Sequence, residues 1–130
     1  MTTDGNKAIV RRFVKEVLSG GNADLIDELL AFDYKNPSMG VTDRSGFKAV
    51  ISGLKTFATR DFEIADLVAE GDSVVFRGNM NATLASGKKV SARVIIYYRL
   101  VNGKIVEDEP ISSPPLTELF AGMMPPKPSA

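Results

Sequence analysis

Asp108 is the residue of this chain best placed to do chemistry. It is the centre of a run of three carboxylates, Glu107-Asp108-Glu109. In an extended strand successive side chains alternate between faces, so Asp108 points one way and both glutamates the other. That alternation prevents the three carboxylates from gathering around one metal ion. A lone carboxylate among apolar side chains has its charged form disfavoured. Its pKa then rises toward the range in which a general acid or base works at neutral pH. Tyr98, expected on the same face, carries a hydroxyl that can be offered to a ligand oxygen. The plainer alternative is that Asp108 and Tyr98 serve structure, bonded to each other or to a backbone amide. The chain has no histidine and no cysteine. It therefore lacks the commonest general base, any thiol nucleophile, any disulfide and the usual soft metal ligands. No phosphate loop, dinucleotide fingerprint or zinc signature is present, so neither a metal nor a cofactor is expected.

The elements that position Asp108 follow from periodicity. A stripe of Ile9, Val10, Phe13, Val14, Val17 and Leu18 predicts a helix over residues 5–19, stopped by Gly20-Gly21. Asn22 is a cap for a second, shorter helix that buries Leu25, Ile26, Leu29 and Leu30. A short extended piece, 32–36, ends at Pro37. Thr42 or Asp43 then caps a third helix to about residue 58, with Phe47, Val50, Ile51, Leu54 and Phe57 inward. From Phe62 onward the period becomes two. One strand passes through Phe62, Ile64 and Leu67, and three long antiparallel strands follow at 74–84, 89–100 and 104–111. Helices first and an antiparallel sheet afterwards is the α+β pattern. Leu116, Leu119, Phe120, Met123 and Met124 recur at helical spacing, which predicts an amphipathic segment over the pocket opening or on a partner. Residues 125–130 are expected to be a loose tail. The whole of 1–130 reads as a single domain, with its core at about 5–113.

The register of the long strands decides what Asp108 faces. Asn102-Gly103 permits a two-residue turn pairing Val101 with Lys104, or a three-residue turn pairing Leu100 with Lys104. Burial favours three-residue turns at both hairpins. One face then collects Phe76, Gly78, Met80, Val94, Ile96, Tyr98, Val106, Asp108 and Pro110. The other face collects Arg77, Asn79, Asn81, Arg93, Ile95, Tyr97, Arg99, Glu107 and Glu109. The two-residue register would put Arg77 and Glu109 beside Ile96 and Tyr98, and burying an unpaired charge is expensive.

Three segments carry a family likeness: IVRRFVKEVLSGGNADLIDELLAFDYKNPSMG (9–40), GDSVVFRGNMNA (71–82) and YYRLVNGKIVEDEPI (97–111). With them the chain resembles the nuclear-transport-factor-two-like superfamily, and within it the SnoaL-like polyketide cyclase and ketosteroid isomerase branches. The resemblance implies a cystatin-like cone, in which a curved antiparallel sheet wraps around N-terminal helices and leaves a pocket at its open end. It also implies a homodimer paired through the sheet. Tyr34 and Asn36 would then lie at the pocket mouth. Where ketosteroid isomerases carry a tyrosine on the first helix, this chain has Phe13. Their aspartate base before a proline falls on Asn36, and their oxyanion-hole aspartate falls on Ile96. The arginine and two aspartates of limonene epoxide hydrolases fall on Gly78, Met80 and Pro110. The histidine and final aspartate of many SnoaL-like cyclases fall on Asp108 and Pro110. None of these catalytic sets is intact.

The expected ligand is a small, largely apolar molecule of polyketide, steroid or terpenoid type. Phe13, Tyr34, Asn36, Met39, Phe76, Met80, Ile96, Tyr98 and Pro110 would line its pocket. Two other functions remain open: an isomerase or cyclase with Asp108 as acid and base, and a non-catalytic dimeric interaction module. Sixteen basic and sixteen acidic residues balance, so nucleic acid is not an expected partner. No run of residues is long and apolar enough to span a membrane, and a soluble, cytoplasmic protein is the default expectation.

Overall fold

The computed structural model describes residues 2–54 and 59–115. The expected helical segment near 116–124, Phe57 and the end of the third helix lie outside the described residues. Helix α1 spans Thr3–Arg12 and begins at Thr2, whose hydroxyl accepts from the Gly5 N–H at 2.9 Å. It continues as a wider π-helical stretch over Phe13–Ser19, which carries Phe13, Val14, Val17 and Leu18 into the core. The wider winding is visible at its end, where the Gly20 N–H reaches back five residues to Lys15 O. A 3-10 turn at Ala23–Leu25 and the short helix α2 at Ile26–Leu29 follow, with Asn22 accepting from the Asp24 N–H. Strand β1 is Leu30–Lys35. After a 3-10 turn at Pro37–Met39, helix α3 occupies Arg44–Leu54 and turns Phe47, Val50, Ile51 and Leu54 inward. Asp43 rather than Thr42 caps α3, since its Oδ1 accepts from the Gly46 N–H at 2.8 Å.

Strands β2 (Thr59–Glu70), β3 (Ser73–Thr83), β4 (Lys89–Val101) and β5 (Lys104–Ser113) complete one curved, unclosed sheet in the order β1-β5-β4-β3-β2. The helices pack on one of its faces, and the whole is an α+β cone. The sheet is not wholly antiparallel: β1 runs parallel to β5. A parallel neighbour needs a long crossover, and the chain from α3 through β4 supplies it.

The expected length of the β4–β5 turn is corrected. The β4–β5 turn has two residues, with Val101 opposite Lys104 and both Asn102 and Gly103 at positive φ. That backbone is the one asparagine-glycine favours. Beyond Leu100 and Ile105 the ladder shifts by one residue, leaving Val106 extra and pairing Arg99 with Glu107. The shift restores the polar and apolar separation that a plain two-residue register would have destroyed. At the β3–β4 hairpin the Leu84 N–H donates to Lys88 O at 2.8 Å beyond the Thr83–Lys89 pair, so the turn has the expected three residues but takes them from 85–87 rather than 86–88. The faces therefore coincide as expected: Phe76, Met80, Val94, Ile96, Tyr98 and Asp108 are buried, whereas Arg77, Asn79, Arg93 and Glu109 are exposed. Ile105, rather than Val106, fills the core near the turn. A second irregularity, between Ile64 and Asp66, bends β2 across β3. It requires Gly78, where a Cβ would lie 1.8 Å from the Glu63 carbonyl oxygen.

Candidate functional site

Asp108 enters the core from β5 and is 3% exposed. Its Oδ2 accepts a hydrogen bond from the Tyr34 hydroxyl at 2.9 Å, and its Oδ1 has no partner. The parallel pairing of β1 with β5 makes this contact, because it sets residues 74 positions apart side by side. Tyr98 faces Asp108 directly across the β4–β5 ladder. The hydroxyl of Tyr98 is buried and unpartnered. Burial raises the Asp108 carboxyl from its ordinary value near 3.8 to about 7, against the opposing pull of the Tyr34 hydrogen bond. Burial and the nearby Asp108 charge push both tyrosine hydroxyls well above their ordinary value. Both are therefore hydrogen-bond donors, not bases, at any physiological pH.

Asn36 follows β1 and is 1% exposed. Proline at 37 keeps it extended, and an isolated bridge to Val41 holds its backbone on both sides. Its N–H donates to Val41 O at 2.8 Å, and its carbonyl accepts from Val41 and Met39. The side-chain Oδ1 has no partner. Tyr34 and Asn36, expected at a pocket mouth, are both fully buried instead. Their strand is folded under helix α3, with Tyr34 edge-on to Phe47 at 5.4 Å.

Asn36 and Asp108 form the polar side of a small cavity of about 30 Å³. The rest of its wall is apolar: Leu18, Met39, Phe47, Val50, Ile51, Leu54, Phe62, Ile96 and Pro110. Space of this size matches about two water molecules, far below the several hundred Å³ of a drug-sized site. Any larger guest must displace wall side chains. Of these, Met39 is the most adaptable, being unbranched and only partly buried. Arg60 ties two of the walls together. Its Nε donates to Leu18 O at 2.7 Å and its Nη1 to Leu54 O at 3.0 Å.

Of the expected pocket residues, Asn36, Met39, Ile96, Asp108 and Pro110 meet at the cavity. Phe13, Tyr34, Phe76, Met80 and Tyr98 do not line it; they are fully buried in the core behind it. Phe13 packs against the rings of Phe47 and Tyr98, with centroids 5.6 and 5.8 Å apart. Sequence reasoning took Leu18, Phe47, Val50, Ile51, Leu54 and Phe62 for plain core. Their helical stripe says only that they point inward, not that a gap lies beneath them. Among the described residues no cluster of carboxylates could hold a metal ion. No described helix is long and apolar enough to cross a membrane.

Residues 10–108 match the sequence model of the SnoaL-like domain. Solved structures share the fold. A protein from Acidithiobacillus ferrooxidans, provisionally named a polyketide cyclase, is 25% identical, with a TM-score of 0.75 over 86% of this chain and 91% of its own. TsrD from Streptomyces laurentii is 20% identical, with a TM-score of 0.78 over 95% of this chain and 97% of its own. AclR from Streptomyces galilaeus, provisionally named a hydroxylase, is 24% identical, with a TM-score of 0.74 over 98% of this chain and 91% of its own. No curated relative matches.

Proposed function

The chain belongs to the SnoaL-like domain family, and from that premise we propose that it is a proton-transfer enzyme acting on a small, largely apolar carbonyl compound. The observation that carries this reading is Asp108, which with Asn36 forms the polar side of an apolar cavity, has its Oδ1 without a partner, and has its carboxyl raised to about 7. A group with that pKa both accepts and returns a proton near neutral pH. Isomerisation and ring closure beside a carbonyl share one first step. A base takes the proton from the carbon next to the C=O, and the negative charge moves to the oxygen. Asp108 is the base in this scheme, and Tyr34 holds its second oxygen and fixes its orientation. The provisional name of polyketide cyclase given to the structural relative from Acidithiobacillus ferrooxidans supports the substrate class.

The test is solvent exchange. In D₂O at neutral pD, 2-tetralone exchanges the protons beside its carbonyl slowly, and NMR follows the loss of signal. The wild-type protein should accelerate the exchange, and Asp108→Asn, which cannot accept the proton, should not. Equal rates for the two proteins, with 2-tetralone shown to bind, rule out Asp108 as the base. In that case the ligand-binding reading alone stands.

The sheet face opposite the described helices carries a second proposal, a homodimer. Ile95 and Ile111 are cross-strand partners, 47% and 71% exposed, and border a 350 Å³ concavity with Arg77 and Arg93. Adjacent apolar side chains on an open sheet are suited to pairing with a second copy. Sedimentation at tens of micromolar should show a dimer, and Ile111→Lys should give a monomer. A wild-type monomer at that concentration removes the proposal.

A further inference from the structure

The polar residues of the cavity hold oxygens that no donor of the protein reaches. Two residues of its wall, Asn36 and Asp108, each carry a buried Oδ1 without a partner. Buried polar atoms left in this state are rare, and each calls for an occupant. Above neutral pH Asp108 is ionised and both atoms are acceptors only. Among the described lining residues none is cationic. The guanidinium of Arg60, which is bonded to two wall residues, donates to the carbonyls of Leu18 and Leu54. An anionic ligand would thus meet a carboxylate and no counter-charge. An ammonium would find one charge partner, but it brings three donors to two acceptors inside an apolar wall.

We infer that the molecule taken by this cavity is uncharged and bears a hydroxyl, as an alcohol, phenol or enol, whose single O–H is donated to one of the free oxygens of Asn36 and Asp108. The inference rests on the ligand-binding reading of this site and adds the polar group that the ligand must carry.

Four probes of nearly equal size separate the cases: phenol, anisole, benzoate and benzylamine, titrated into the full chain at pH 8.5 and followed by NMR. Phenol should bind at least about tenfold more tightly than anisole, because only phenol brings an O–H to these oxygens. Benzoate and benzylamine should bind more weakly than phenol. Asn36→Leu, which removes one acceptor, should shrink the preference of phenol over anisole. So should Asp108→Asn, a substitution of the same shape that supplies an N–H. Anisole bound as tightly as phenol by the wild type overturns the inference and leaves the apolar-ligand reading intact. Benzylamine bound most tightly overturns it in favour of a cationic ligand. Failure of all four to bind at millimolar concentration overturns this inference and the ligand-binding reading together.

Discussion

Glu107 and Asp108 are neighbours on β5 with the same functional group and opposite surroundings. Glu107 lies on the open face, its side chain 36% exposed, and pairs with Arg99 at 3.2 Å. Asp108 lies on the closed face, holds one tyrosine hydroxyl and titrates near 7. One step along a pleated strand separates them. Chemistry in this protein is thus a property of the face and not of the residue type. Water screens the carboxylate on one side. On the other, its absence makes the carboxylate a weak acid, one that takes and returns protons.

The largest test of this contrast leaves the carboxylates alone. Phe76 and Arg77 are consecutive on β3, one fully buried and the other exposed beside Asp66. Phe76→Ala should cost about 3–5 kcal/mol, and Arg77→Ala no more than about 1 kcal/mol. Urea unfolding that found the two losses similar would undo the distinction between the faces.

The next effect belongs to Asp108. Its carboxyl holds its proton up to about pH 7 in the folded chain but loses it near 3.8 in the unfolded one. Between those values folding takes up a proton, so this group's favourable contribution is complete below about pH 4, fades as pH rises, and is gone above 7. Asp108→Asn carries no charge to bury. It should be more stable than wild type at pH 8 by up to about 4 kcal/mol, at about 1.4 kcal/mol per pH unit. Near pH 4 the two proteins should be nearly equal. A gain independent of pH would point to packing rather than to charge.

Tyr34→Phe follows in size. It removes the donor that stabilises the ionised Asp108, a loss of about 1.5–3 kcal/mol at pH 8 for a bond to a charged group. The Asp108 titration, followed by the side-chain carboxyl carbon, should move further upward. A downward or absent shift would mean that Tyr34 does not hold the carboxylate. Glu107→Gln closes the series at about 0–1 kcal/mol, the ordinary worth of an exposed ion pair. A larger loss would show that Glu107 is covered in solution, as by a second copy on the sheet.

The fold was largely legible. Helical stripes such as Phe47, Val50, Ile51 and Leu54, and the alternation along β3 and β4, named the elements and the side each residue faces. Those patterns report burial directly, because they repeat at the period of the backbone. Asp108 stood out for the same reason, being a carboxylate at a position of apolar parity. Turn lengths were less legible, because parity survives a shift of two residues and a one-residue bulge repairs a slip that a count from Asn102-Gly103 cannot see. The parallel pairing of β1 with β5 left no local trace at all, since it joins segments with most of the chain between them.

Sequence alone therefore determined that Tyr98 and Asp108 face inward together: they are large or charged exceptions to an apolar alternation, and the alternation itself marks them, whereas the burial of Tyr34 was not expected. Tertiary structure alone decided which of them touch. Tyr34 reaches Asp108 because β1 lies along β5, whereas Tyr98, directly opposite Asp108 in the ladder, leaves its hydroxyl free. It also decided that Asn36, set by its proline and its bridge to Val41, shares a cavity wall with Asp108. Periodicity is a one-dimensional record of burial. Which oxygen finds a donor depends on distances that only the packed sheet and helices fix.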